Sequence, residues 1–329
     1  MNPRENILVL RLKSIGDVLF TLPAVHALCD NFPDAKITFL TSKENAALMR
    51  GFREVDDVIA LDRAVLQNPL RAAPEMFRQL RRLRREAFSL TVDFQGYGET
   101  AWLSWWSGAP ARWGSVYSGG REWLYTRGVR RNEQIHLADW NRSLLRQCGL
   151  RVGDVHNEFA LPEDALADAK KFFTENHLDP ARPTLFLQPF TSSPHKNWPL
   201  ENFLALARHF QAQGAQIIFG GGPADRAALG PAGAAGFVVS AGTPLLVSGG
   251  LTKLSRLTVG GDTGLLHLAV AMKRRVLMLM TVMGQTYPFQ HANWVVTAPE
   301  GTGIAAISLT DVVAATEQAF SESTGNASC

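Results

Sequence analysis

The sequence holds only three cysteines, Cys29, Cys148 and Cys329, all far apart. That spacing excludes a disulfide framework and offers no Cys-based zinc site. Asp-x-Asp, His-Glu-x-x-His and Gly-x-Ser-x-Gly are all absent. Neither a metal-anchoring acidic pair nor a hydrolase nucleophile turn is therefore available, and the expectation is chemistry without a bound metal. Long apolar runs are missing too. The stretch Val276 to Met283 is interrupted by Thr281 and falls far short of the roughly 18 residues that a membrane span needs. The opening run Ile7 to Leu10 is shorter than the apolar core of a signal peptide, about 7 to 15 residues. The expectation is a cytoplasmic chain that can meet the inner membrane surface only peripherally.

What is present is an ordinary globular composition: 329 residues, 46% of them hydrophobic and 19% charged. This length exceeds what one core usually organises, so two domains are expected. Charge is unevenly shared. Residues 1–150 carry 21 Lys and Arg against 16 Asp and Glu, whereas residues 151–329 carry 12 against 14. The first half is the one suited to an anionic partner. No basic stripe interleaved with aromatics suggests nucleic acid.

Short aliphatic runs at Ile7–Arg11, Lys36–Thr41, Asp57–Leu61 and Leu90–Phe94 alternate with amphipathic stretches, as in βαβ units of a parallel sheet. Val18, Leu19, Leu22, Val25 and Leu28 fall at helical spacing, as do Leu70, Phe77, Leu80 and Leu83, so core-facing helices cover the sheet. Periodicity lapses between Leu150 and Glu163, which sets domains of 1–160 and 161–329. The alternation then restarts with Thr184–Gln188, Ala215–Phe219, Phe237–Ser240, Leu257–Gly260 and Arg275–Met280. A last helix near Ser308 to Phe320 could pack back on the first domain, and a polar tail follows it. The fold class is α/β, with two doubly wound parallel sheets.

Ligands of such sheets bind beyond the carboxyl ends of the strands. Three loops there carry suitable groups. In Leu12-Lys13-Ser14-Ile15-Gly16-Asp17, Asp17 is either a helix cap or a carboxylate able to take a proton from a hydroxyl. Gly16 is the loop's only glycine, which disfavours a nicotinamide cofactor. In the loop from Gln188 to Pro199, Thr191 and Ser192 can donate to phosphate oxygens and Lys196 can supply charge, or the loop is simply polar surface. In Gly260-Gly261-Asp262-Thr263-Gly264-Leu265-Leu266-His267, glycines permit close approach and a helix start faces an anion; otherwise it is a capped helix with a core-facing His267.

Four motifs together resemble the family-9 glycosyltransferases, which include the ADP-heptose lipopolysaccharide heptosyltransferases. They are Arg11-x-Lys13-Ser-Ile-Gly-Asp17 with Thr21-Leu-Pro23, Asp93-Phe-Gln-Gly96, Thr191-Ser192 with Lys196-x-Trp198-Pro199, and Gly261-Asp262-Thr263-Gly264 with His267. The resemblance implies a GT-B fold of two facing Rossmann-like domains, and metal-free inversion at the anomeric carbon. It implies ADP-heptose as donor and an anionic, lipid-linked saccharide of the lipopolysaccharide inner core as acceptor. It makes Asp17 the general base. Thr191, Ser192, Lys196, Asp262, Thr263, Gly264 and His267 become donor contacts, with Asp225 as a donor-binding acid. Lys13, Arg112 and Arg121 become acceptor contacts. One departure stands out: relatives tend to carry a Gly-Pro-Thr-like turn where this chain reads Thr281-Val-Met-Gly284-Gln-Thr-Tyr287-Pro288, which leaves the sugar and base open.

The competing readings are transfer from another nucleotide sugar, a sugar-nucleotide epimerase, and a non-catalytic nucleotide-binding protein. An epimerase needs acid and base on both faces of the sugar, and Asp17 is the one convincing carboxylate. The arginines 78, 81, 82, 84 and 85 read first as a solvated basic helix face and second as a membrane-docking one. Trp102, Trp105 and Trp106 read first as core and second as a lipid-facing patch.

Overall fold

The computed structural model describes residues 5–62, 65, 69–117 and 120–322. The tail from residue 323, with Cys329, lies outside them. The chain forms two compact units, Met1–Ala160 and Leu161–Cys329.

The first unit is built on strands β1 (Asn6–Leu10), β2 (Lys36–Ser42), β3 (Asp57–Leu61), β4 (Leu90–Asp93), β5 (Ala111–Val116) and β6 (Arg127–Arg130), ordered β3-β2-β1-β4-β5-β6. All neighbours run parallel, with Leu8 beside Thr38 on one side and Thr91 on the other. Residues Ile7 to Leu10 are fully buried, because helices cover both faces of a parallel sheet and leave no solvent side. Those helices are α1 (Ile15–Leu19), α2 (Leu22–Asn31), α3 (Pro69–Arg85), α4 (Gly98–Trp106) and α5 (Leu137–Gln147). Leu83 of α3 and Leu103 of α4 pack with Leu8, Leu10, Leu40 and Ile59 in one core.

Three expectations need correction here. The helix expected to run through Thr21 is broken: α1 ends at Leu19, Thr21 turns back onto the Val18 carbonyl, and α2 begins with Pro23 in its first turn. Proline lacks an N–H and starts a helix more readily than it continues one. Phe77, expected in the core, is 66% exposed, and so in part are Trp102 and Trp106.

The second unit repeats the plan with β7 (Thr184–Gln188), β8 (Gln216–Gly221), β9 (Val238–Ala241), β10 (Leu257–Gly261), β11 (Val276–Met280) and β12 (Val295–Thr297), ordered β12-β11-β10-β7-β8-β9. Its helices are α6 (Glu163–Glu175), α7 (Leu200–Ala212), α8 (Gly230–Ala234), α9 (Leu245–Leu254), α10 (Gly264–Ala271) and α11 (Leu309–Glu322). Helix α9 carries Gly249 and Gly250 in mid-helix, where glycine normally costs about 1 kcal/mol. The cost is offset by contact: a Cβ on Gly250 would sit 2.6 Å from that of Ala169 on α6, so only glycine lets the two helices meet. The last helix buries Val312 and Ala319 with Phe210 of α7 and Leu277 and Leu279 of β11. Among the described residues no helix is long and apolar enough to cross a membrane.

Candidate functional site

Each sheet reverses its strand order once, between β1 and β4 in the first unit and between β10 and β7 in the second. Neighbouring loops diverge at such a point and open a crevice for ligands.

At the first reversal the Leu12–Asp17 loop is tied to the end of β4. Gln95 Oε1 accepts from the Leu12 N–H at 2.8 Å and from the Lys13 N–H at 3.3 Å. Arg11, almost fully buried, donates through Nη1 to the Phe94 carbonyl at 2.8 Å and pairs through Nη2 with Asp17 Oδ2 at 2.6 Å. The Ser14 N–H donates to the same Asp17 oxygen at 3.0 Å. Asp17 is thus not the N-cap, which is Ser14, but the third residue of the helix, reaching back in a capping box. Both contacts fall on Oδ2. The Lys13 side chain is exposed.

Beside this loop a cavity of about 350 Å³ opens at the ends of β4 and β5, lined by Gly96, Tyr97, Ser115, Tyr117, Arg121 and Tyr125. Under it the Tyr125 hydroxyl donates to Asp93 Oδ2 at 2.6 Å, and the N–H groups of Gln95 and Gly96 donate to Oδ1 at 2.9 Å. Burial pushes the Asp93 carboxyl up from its ordinary range, although the Tyr125 and Gly96 hydrogen bonds act against it. Burial, and then the Asp93 carboxylate, push the Tyr125 phenol up as well. This buried pair shapes the floor of the cavity. Arg131 Nη1 donates to the Tyr117 hydroxyl at 2.8 Å, and its guanidinium lies over that ring at 5.0 Å.

Arg112 does not join this group, contrary to expectation. It sits near the amino end of β5, beside Thr91, and its guanidinium donates to the carbonyls of Leu124 and Ala109, both at 2.8 Å. It braces the sheet at the end opposite the cavity. Arg121 does line the cavity.

At the second reversal, Lys196 from the β7 loop meets Asp262 from the β10 loop, Nζ to Oδ2 at 2.9 Å. His267 of α10, 3% exposed, places Nε2 at 2.9 Å from Asp262 Oδ1, and the Thr286 hydroxyl donates to Oδ2 at 3.3 Å. Burial works to raise the Asp262 carboxyl, but the hydrogen bonds and charges of His267 and Lys196 outweigh it and bring it down to about 2. A Cβ on Gly260 would lie 2.6 Å from the Gln188 carbonyl oxygen, so glycine is required for the two loops to start this close together. Thr263 caps α10, its hydroxyl facing the Leu266 N–H. The β7 loop is pinned from behind by Trp198, whose Nε1–H donates to the Ile307 carbonyl at 2.9 Å.

Two expected donor contacts are occupied internally. The Thr191 hydroxyl donates to the Ser193 carbonyl at 2.8 Å and its N–H to Asn197 Oδ1 at 2.8 Å. Asp225 accepts from the Gly222 N–H at 2.8 Å and orders the turn after β8. Ser192 is exposed and Lys196 is 44% exposed. Sequence reasoning missed Arg11, Gln95 and Thr286 as partners; the first two lie inside the quoted motifs, whereas Thr286 lies in the atypical loop and carries no local signal.

Asp262→Asn should lose the Lys196 ion pair and weaken the His267 contact, lowering stability by about 1–3 kcal/mol at pH 6. The folded pKa of Asp262 lies below the unfolded one, near 4, so its stabilisation is complete above pH 5 and fades as pH falls toward about 2. In urea titrations the gap between wild type and variant should shrink by roughly half at pH 3. A gap independent of pH would show that the carboxylate charge contributes nothing.

Residues 76–304 match glycosyltransferase family 9 (heptosyltransferase). Lipopolysaccharide heptosyltransferase 1 of Pseudomonas aeruginosa is 28% identical over 295 residues, covering 86% of this chain and 79% of that protein. A glycosyl transferase family 9 structure from Veillonella parvula superposes with a TM-score of 0.87 at 19% identity, over 98% of this chain and 99% of that one. The Escherichia coli heptosyltransferase WaaC with ADP-2-deoxy-2-fluoro heptose superposes with a TM-score of 0.76 at 21% identity, over 95% and 99%. The two Rossmann-like units are those of the GT-B fold, and the chain belongs to glycosyltransferase family 9.

Proposed function

We propose that this glycosyltransferase is an inverting, metal-independent heptosyltransferase that moves heptose from ADP-heptose to the inner core of lipopolysaccharide. The observation that carries the reading is the meeting of Lys196 with Asp262 at the second strand-order reversal, a cationic place for a diphosphate. The relatives support the particular substrates: one is a lipopolysaccharide heptosyltransferase and another holds an ADP-heptose analogue.

Lys196 carries three ammonium protons, of which Asp262 engages one, leaving the others for phosphate oxygens. The first N–H groups of α10, from Gly264, add donors at the positive end of a helix, and Ser192 adds an exposed hydroxyl. Asp262 and His267 act by holding the lysine in place. Negative charge grows on the departing diphosphate, so these groups stabilise the transition state more than the ground state. On the acceptor side, Asp17 Oδ1 takes the hydroxyl proton as the acceptor oxygen bonds to the anomeric carbon. The carbon–oxygen bond to ADP breaks on the opposite face, its electron pair leaving with the diphosphate, and the configuration inverts. Arg11 keeps the Asp17 carboxylate oriented. Lys13, Arg121 and the cavity beneath Arg121 receive the anionic, lipid-linked saccharide, which places the reaction at the cytoplasmic face of the inner membrane.

Asp17→Asn should keep the capping contact and donor affinity while lowering turnover by about 100-fold or more. Near-normal turnover in a folded variant would remove Asp17 from the chemistry.

Metal independence rests on the missing Asp-x-Asp and on the protein cation at the diphosphate position. Transfer should continue in excess EDTA; a loss restored by magnesium or manganese would reject this part of the mechanism.

Calorimetric titration should show ADP binding more tightly than UDP, and Lys196→Ala should weaken ADP but hardly change adenosine. Tighter binding of UDP would overturn the ADP-heptose donor and leave glycosyl transfer standing.

A further inference from the structure

Three indoles stand on the surface of the first unit, joined into one cluster through Trp105. Trp102 and Trp106, one turn apart on α4, are 44% and 42% exposed, and Trp123, on the turn Glu122–Leu124, is 60% exposed. Trp102 meets Trp123 edge-to-face at 5.6 Å, and the half-buried Trp105 touches Trp102, Trp106 and Trp123 at 5.7, 5.5 and 6.5 Å. A single exposed tryptophan is unremarkable, whereas a contiguous exposed cluster marks an interaction surface.

Charge identifies what it meets. Helix α4 has an arginine at each end: a Cβ on Gly108 would lie 2.8 Å from Arg84 Nη1, and a Cβ on Gly98 would lie 3.0 Å from Arg121 Nη1. Arg84 belongs to α3, which packs beside α4, and its exposed neighbours on that helix are Phe77, Arg78, Arg81 and Arg85. Arg78 pairs with Glu75 and Arg82 with Asp57; for Arg81, Arg84 and Arg85 exposure is the rule. Indoles flanked by arginines match the layered chemistry of a bilayer surface, where the rings sit among the headgroup carbonyls and the cations meet lipid phosphates. Glu99 and Glu122 oppose this attraction without cancelling the surplus of basic residues.

We infer that the Trp102–Trp106–Trp123 surface, with Arg84 and Arg85, docks the first unit onto an anionic lipid bilayer. This goes beyond the transfer reaction and does not depend on which donor or acceptor the enzyme uses, because lipid binding is measured with neither present.

The test is co-sedimentation of the full chain with vesicles of phosphatidylglycerol and phosphatidylethanolamine, and with vesicles of phosphatidylcholine alone. Wild type should bind the anionic vesicles, at least tenfold less tightly at 0.5 M salt. Replacing Trp102, Trp106 and Trp123 together by Gln should weaken binding about tenfold or more, and Arg84→Gln and Arg85→Gln should each weaken it roughly fivefold. Should the triple variant misfold, brominated lipid should quench wild-type fluorescence more than that of Trp123→Gln. Absent binding, equal binding to neutral vesicles, or unchanged binding and quenching in the tryptophan variants would overturn the proposal. Concentration-dependent dimerisation that the tryptophan substitutions abolish, without vesicle binding, would assign the surface to a second copy of the chain instead.

Discussion

A parallel sheet covered by helices on both faces leaves only its strand ends open, and that constraint places the polar chemistry of both units. The central strands are mainly apolar, as Ile7–Leu10 and Val276–Met280 show, so reactive groups collect at the strand ends and in the loops. Where strand order reverses, two loops turn to opposite faces and expose what lies between them. Asp17 and the Lys196–Asp262 pair both occupy such points.

The two sites handle charge differently. In the first, a buried guanidinium is matched by one carboxylate oxygen and one backbone carbonyl, contacts that offset the desolvation of Arg11. In the second, the carboxylate is the buried member and the lysine is half exposed. His267 and Thr286 hold Asp262 from the protein side, which leaves the ammonium facing outward. A buried acid that presents an exposed cation suits recognition of an anion. A buried cation here holds a partly exposed carboxylate in one orientation.

Exposure divides the aromatic residues of the first unit by a rule that composition does not reveal. Tyr125 and Trp140 are buried, and each finds a partner for its polar atom, Asp93 and Ser115 respectively. Trp102, Trp106 and Trp123 stay at the surface, Trp102 in edge contact with Trp123 and Trp106 with Trp105. Their energetic cost in water is tolerable where a surface binds something apolar and charged together.

Continuous apolar runs mark a buried parallel strand whatever surrounds it, and for that reason Thr184–Gln188 and Leu257–Gly260 were legible directly from sequence. The edge strands β6, Arg127–Arg130, and β12, Val295–Thr297, were not, because a short strand with solvent on one side carries little hydrophobic signal. The loop motifs around Asp17, Lys196 and Asp262 were visible for a related reason: they place hydroxyls and charge after a strand, with glycine in the first and third. Tertiary structure alone decided who pairs with whom. It joined Lys196 to Asp262 across 66 residues and Arg11 to the Phe94 carbonyl across 83, and it turned Arg112 to the far end of its strand. It also brought Trp123 onto the indoles of α4. Periodicity reports which face of an element is apolar, but partner choice depends on strand order, and strand order is a property of the whole sheet.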